Sequence, residues 1–145
     1  MNEQYRELLF IDLCGRIPYK VRMFEIEPIN DIQSNLILQS ITNKESVICI
    51  TPSGGVIGSS IDAFKPYLFP ISSMTEEQRE EFLNIQTEER QILLNALIEY
   101  KSGKYDKIPI IAPYKQIEWL NKNHFDYRGL IEKGLAIDAT DKNIY

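Results

Sequence analysis

The one histidine of the chain, His124, is followed within four positions by Asp126, Tyr127 and Arg128, in the run HFDYRGLIEKGLAID (124–138). An imidazole near a carboxylate is raw material for general acid–base chemistry, and a guanidinium can hold developing negative charge. The spacing argues for simpler roles. His124 lies four residues after Leu120 and seven after Ile117, on one helical face. It therefore ends an apolar stripe at a helix C-terminus, where a histidine meets the last carbonyls. Asp126 is placed to cap a short helix over 127–133, closed by Gly134, with Tyr127, Leu130 and Ile131 facing inward. Arg128 is in reach of Asp126 or, at i+4, of Glu132. Gly129 inside that helix costs about 1 kcal/mol against alanine, which predicts a close backbone approach at that point.

No serine or cysteine adjoins His124 in sequence, and no second histidine exists to share a metal with it. No catalytic, cofactor-binding or metal-ligating residue is assigned on these grounds, and no cofactor is expected. His124, Asp126, Tyr127 and Arg128, with Tyr67 and Phe69 from a proline-flanked stretch, stand as candidate interaction or framework residues. A small enzyme using His124 with Asp126 or Arg128 is the rival reading.

Other chemistry-bearing patterns are weaker. Gly54-Gly55 is followed by Val56-Ile57 rather than Lys-Ser/Thr, so it reads as a turn and not a phosphate loop. Cys14 and Cys49 form no C-x-x-C pair and fall in apolar surroundings, as two buried reduced thiols would. Tyr19, Tyr67, Phe69 and Tyr114 stand beside prolines, where aromatic side chains either pack around stiff bends or meet partners.

These residues need elements to position them. Tyr5, Leu8, Leu9, Asp12 and Leu13 trace one stripe of a helix over 3–14, with Asn2 as cap, Gly15 as its C-terminal stop and Pro18 beyond. KVRMFEIE (20–27) alternates like a strand, with a phase slip between Met23 and Phe24 that predicts a bulge or a twist. NLILQSIT, SVICIT and VIGSSI follow, separated by TNKE and PSGG turns. Four or five closely spaced strands over 20–65 imply antiparallel hairpins, because a parallel crossover needs about a dozen residues. Pro66 and Pro70 predict an extended stretch that cannot continue a central strand, either a linker across the surface or one that packs Tyr67 and Phe69 into a seam.

Thr75-Glu-Glu-Gln78 matches a capping box and opens a helix over about 76–101, with a break near 84–87. Phe82, Ile85, Leu93, Leu97 and Tyr100 line its inner face, and Gly103 stops it. IPIIAP (108–113) is a strand or buried connector. Pro113 then fits the first turn of a helix over 113–123, with Ile117 and Leu120 inward.

The chain has 145 residues, 43% hydrophobic and 26% charged, which is globular composition. That length suits one domain, read as a β-rich lobe (1–70) and a helical lobe (71–145). The net charge of −5 argues against a general nucleic-acid binder. Lys104, Lys107, Lys115 and Lys122 still leave a local basic face open as an alternative. Residues 71–101 are the acidic segment, with 7 carboxylates against 3 cations, and helix N-terminal placement accounts for much of that. The charged N-terminus carries no secretory pattern and no apolar run reaches membrane-spanning length, so a cytoplasmic protein without membrane contact is expected.

Three stretches, LLFIDLCGRIPYKV (8–21), FKPYLFPISSMTEEQREEF (64–82) and WLNKNHFDYRGLIEKGLAIDAT (119–140), resemble a family of small uncharacterised proteins from gut Bacteroidales bacteria and their phages. The resemblance carries no activity. It implies a bacterial or phage cytoplasmic setting, and that the H-F-D-Y-R-G-L stretch belongs to a shared framework. The expectation is an α+β fold: an N-terminal helix on a small curved antiparallel sheet, with an SH3-like half barrel as one form, and a helical C-terminal part. The expected function is a non-enzymatic interaction or accessory factor, phage- or mobile-element-associated, with an unidentified protein partner. A nucleic-acid-binding module is the alternative.

Overall fold

The structure, a computed structural model, describes residues 1–27, 35–43, 45–104 and 114–145. Asn2 accepts the Tyr5 N–H at 2.8 Å and starts helix α1, Glu3–Arg16. Leu9, Asp12, Leu13 and Arg16 are its buried residues, one stripe of period 3.6. The helix runs past the expected stop. Gly15 lies inside it, where an added Cβ would meet Asn121 Nδ2 at 2.9 Å. At Gly129, where the sequence predicts a close backbone approach, an added Cβ would meet only side-chain ends, Lys133 Nζ at 2.9 Å and Glu132 Oε2 at 3.9 Å. Cys49 is buried, but Cys14 is exposed, against expectation.

Strands β1 (Arg22–Glu25), β2 (Leu36–Asn43), β3 (Ser46–Ile50) and β4 (Val56–Ser60) form antiparallel neighbours in the order β4-β3-β2-β1. The expected slip in β1 is absent: Val21, Met23 and Glu25 alternate inward without interruption. The register shifts lie in β2 instead, between Leu38 and Ser40 and between Ile41 and Asn43. The PSGG turn closes β3 onto β4 as its composition requires, with Gly54 at φ +88° and Thr51 Oγ1 accepting the Gly55 N–H at 2.8 Å.

The proline-flanked stretch is strand β5, Phe64–Pro70, not a linker. It pairs antiparallel with β1 and parallel with β6 (Phe125–Asp126) and β7 (Ile137–Asp138). The sheet is thus mixed and open rather than wholly antiparallel. The prolines are tolerated because of where they fall. Pro66 is the last residue paired with β1, and Pro70 ends the strand, so neither missing N–H interrupts a continuing ladder. Leu9, Leu13, Met23, Leu36, Phe64, Leu68 and Leu130 are among the fully buried residues of the core between α1 and this sheet. The fold class is α+β.

The chain divides into two units, Met1–Ser73 with Asn121–Tyr145, and Met74–Leu120. The second unit holds helix α2, Glu76–Lys101, and most of helix α3, Tyr114–Lys122. Thr75 and Gln78 exchange hydrogen bonds in the predicted capping box, N–H to Oε1 at 2.9 Å and N–H to Oγ1 at 3.2 Å. No break interrupts α2 near 84–87. Glu89, buried on α2, accepts the Lys115 N–H at 2.8 Å and the Gln116 Nε2 at 2.7 Å, so a carboxylate meets the positive end of α3. Phe82 packs on Trp119 at 5.4 Å between ring centroids. Trp119 and Leu120 are buried, whereas Ile117, expected inward, is 39% exposed. The IPIIAP run, Pro113, Lys44, Lys107 and the Tyr100 side chain lie outside the described residues.

Candidate functional site

The six sequence-derived candidates all lie in the first unit, where His124, Tyr67 and Phe69 meet Tyr145, and Tyr127 and Arg128 meet a feature that sequence reasoning missed, the ion pair of Asp12 and Arg16. Both side chains are fully buried, one turn apart on α1. Arg16 donates from Nε to Asp12 Oδ2 at 2.6 Å and from Nη2 to Oδ1 at 3.1 Å. The same Nη2 donates to the Phe125 carbonyl at 2.8 Å, tying α1 to β6. Arg128 approaches from the opposite end of the chain, its Nε 3.5 Å from Asp12 Oδ1. It pairs with neither Asp126 nor Glu132 as expected. The Tyr127 ring lies near both guanidinium groups, 5.0 Å from Arg128 and 5.6 Å from Arg16, an arrangement its π face favours.

His124 is placed by the end of α3. Its backbone is left-handed, φ +59°, and its N–H donates to the Asn121 carbonyl at 3.1 Å, closing the helix as a C′ residue does. Its own carbonyl accepts the Phe69 N–H of β5 at 2.9 Å. The cap is thus made by the backbone rather than by the imidazole. The imidazole stacks on Tyr145, centroids 4.1 Å apart and planes 15° apart. Burial, aided by the charges of Arg16 and Arg22, lowers its pKa to about 4. A base so weak accepts a proton poorly at neutral pH.

Asp126 caps, though not a helix. Residues 127–134 form successive turns, and the predicted helix over 127–133 is absent. The Asp126 carboxylate accepts the Leu130 N–H and the Ile131 N–H, each at 2.8 Å. Gly129 at φ +68° takes a left-handed conformation inside the span where a helix would need right-handed backbone, and Gly134 at φ +69° takes a second one. Their presence in one short run is the signal for turns that the helical reading overlooked.

Tyr67 is buried on β5, and its carbonyl accepts the Tyr145 hydroxyl at 2.7 Å. That hydroxyl in turn accepts the Arg22 N–H at 3.0 Å. Burial pushes the Tyr145 phenol well above its usual range, so it remains a donor. Although Tyr145 is 44% exposed as a residue, its hydroxyl is thus engaged. Phe69 packs on Phe125 at 6.3 Å and on Tyr145 at 5.7 Å. Asp12, Arg16, Arg22 and Tyr145 complete the cluster. Asp12 and Arg16 stand at the i,i+4 spacing of a helical ion pair, but Asp12 falls on the apolar stripe of α1, which hides that pairing in the sequence.

The cluster ties chain segments together through the hydrogen bonds of Arg16, Asp126 and the Tyr145 hydroxyl, while Arg16 Nη1, Arg128 Nε and His124 Nδ1 are buried without a hydrogen-bond partner. The polar groove of about 520 Å³ lined by Pro70, Ser72, Ser73, Asp138, Thr140 and Asp141, with Lys142, contains none of the six candidates. Among the described residues no group of three or more histidine, cysteine or carboxylate side chains is placed to hold a metal ion. Lys104 pairs with Glu99 at 2.7 Å and Lys115 with Glu88 at 3.6 Å, which offsets their charge locally. No described helix is long and apolar enough to cross a membrane. Comparison with family models, with curated proteins and with solved structures finds no match.

Proposed function

We propose that this chain is a non-enzymatic protein-binding accessory factor of a bacterial or phage cytoplasm, and that α2 carries its docking face. One observation carries the reading. Leu83, Leu94 and Ile98 are 52%, 46% and 66% exposed and lie on one stripe of α2, three turns and then one turn apart. Single exposed leucines are ordinary, but Leu94 and Ile98 one turn apart, with Leu83 on the same side beyond the polar Thr87 and Gln91, offer apolar surface that a protein partner can cover. The flank of α2 bearing Phe82 and Glu89 is already engaged with α3. The His124 cluster supports the same reading from the other side, because the Asp12–Arg16 pair, the Asp126 carboxylate and the Tyr145 hydroxyl are used in holding the fold. The resemblance to Bacteroidales and phage proteins supports the setting.

The test is co-purification from a bacterial lysate with the full chain and with a Leu94→Asp/Ile98→Asp variant. Partners should be lost from the variant while its melting temperature holds. Retention of the same partners would remove α2 as the docking face. Turnover of a substrate by the purified protein, abolished by His124→Gln, would replace this reading with the enzymatic one. Salt-dependent binding of short DNA or RNA would replace it with the nucleic-acid one.

A further inference from the structure

Strand β4 is the outer strand of the sheet, and among the described residues no strand pairs with its far side. Which of its backbone groups point outward follows from the ladder. Thr51 N–H donates to the Gly55 carbonyl at 2.8 Å at one end, and Ile61 N–H donates to the Glu45 carbonyl at 2.7 Å at the other. Between these the register with β3 is unbroken: Ile50↔Val56, Cys49↔Ile57, Ile48↔Gly58, Val47↔Ser59, Ser46↔Ser60. Antiparallel hydrogen bonding alternates residue by residue. Residues 55, 57, 59 and 61 therefore turn their N–H and C=O toward β3. Val56, Gly58 and Ser60 turn theirs away from it, and all three are exposed, Val56 at 70%.

Edge strands are usually guarded by lysine, proline, a bulge or a covering segment. VIGSS has no charge and no proline, and its pairing with β3 shows no register shift. Gly58 adds an independent point. Its backbone is not left-handed, and an added Cβ would meet only Ile48 Cγ1, at an ordinary 4.0 Å. The fold does not require glycine here, although glycine weakens a strand interior and marks places where another backbone comes close.

We propose that β4 pairs with β4 of a second copy of this chain, antiparallel about a two-fold axis through Gly58, joining two sheets into one. The edge is self-complementary in that register alone. Val56 meets Ser60 of the second copy, Gly58 meets Gly58, and every outward N–H and C=O finds its mate. Both copies carry the same net charge, yet this strand brings no charged side chain to the crossing, so nothing on it repels its twin. The pairing uses a different surface from the α2 row and does not depend on the function proposed above.

Sedimentation velocity of the full chain over rising concentration tests this. The wild type should pass from monomer to dimer, and Gly58→Lys should weaken the dimer by about tenfold or more by opposing two ammonium groups at the axis. Gly58→Glu should act alike. An equimolar mixture of Gly58→Lys with Gly58→Glu should regain the dimer, because opposite charges then meet on the two-fold. Melting temperatures check that both variants fold; should they not, Ser60→Pro, which removes an outward N–H, replaces them. A wild type that stays monomeric up to its solubility limit overturns the proposal. So does a dimer unaffected by Gly58→Lys, or one lost instead in Leu94→Asp/Ile98→Asp.

Discussion

His124 shows how one side chain can look like chemistry and serve as structure. Its ring is largely buried and stacks on the Tyr145 ring, and the charges of Arg16 and Arg22 oppose a further positive charge there. In the folded protein it titrates near 4, against 6.5 for an ordinary imidazole. As pH falls, the unfolded chain therefore takes up the proton first, and the native state loses ground. The contribution is complete above about pH 6.5 and is lost on descending to about 4. That displacement corresponds to about 3 kcal/mol. Urea unfolding at a series of pH values should show that slope in the wild type and a shallower one in His124→Gln. Equal slopes in the two proteins would mean that the imidazole is not buried neutral.

At the scale of elements, local signals were readable where one residue's chemistry answers one backbone need. Asn2 caps α1, the Thr75–Gln78 box caps α2, and the PSGG turn joins β3 to β4. Thr75→Ala should lower stability by about 1 kcal/mol through the lost hydroxyl acceptor, and Thr75→Ser by very little. Calorimetry that finds equal losses would show that the methyl packs and the hydroxyl does not cap. What the sequence obscured depends on distant partners. Glycine at 129 looks alike whether it permits packing or a left-handed turn, and only φ separates the two. Pro66 and Pro70 spoke against a central strand, because nothing local reveals that β5 changes neighbours between them. Arg16 and Arg128 are ordinary surface residues by type. Their meeting at Asp12 required α1 and residues 125–128 to come together across the whole chain.

For the whole molecule, the same distinction predicts where stability resides. In the first unit, β5 buries Phe64, Pro66, Tyr67 and Leu68, and its backbone bonds to β1, β6 and β7. The buried Asp12–Arg16 pair anchors α1 to β6 in that unit, and removing either partner would leave an uncompensated charge in the interior. In the second unit, Glu89 is the sole residue of α2 that is buried among those described, and Ile92, Leu94 and Ile98 are largely open to solvent. A long helix with so little of its surface covered draws little stability from packing, and its own propagation is only marginally favourable. Opening free energies should therefore differ within one chain. Native-state hydrogen exchange should find the amides of residues 64, 65 and 67–69 among the slowest, exchanging only through global unfolding. The amides of residues 92–101 should exchange through local opening at least an order of magnitude faster, a gap of about 1.4 kcal/mol or more. Binding of the partner proposed for the Leu83–Leu94–Ile98 row should close that gap, because covering the row gives α2 the packing it lacks. Protection in 92–101 already equal to that of β5 in the free protein would show that α2 is stabilised without a partner, and the row would lose its claim as a docking face.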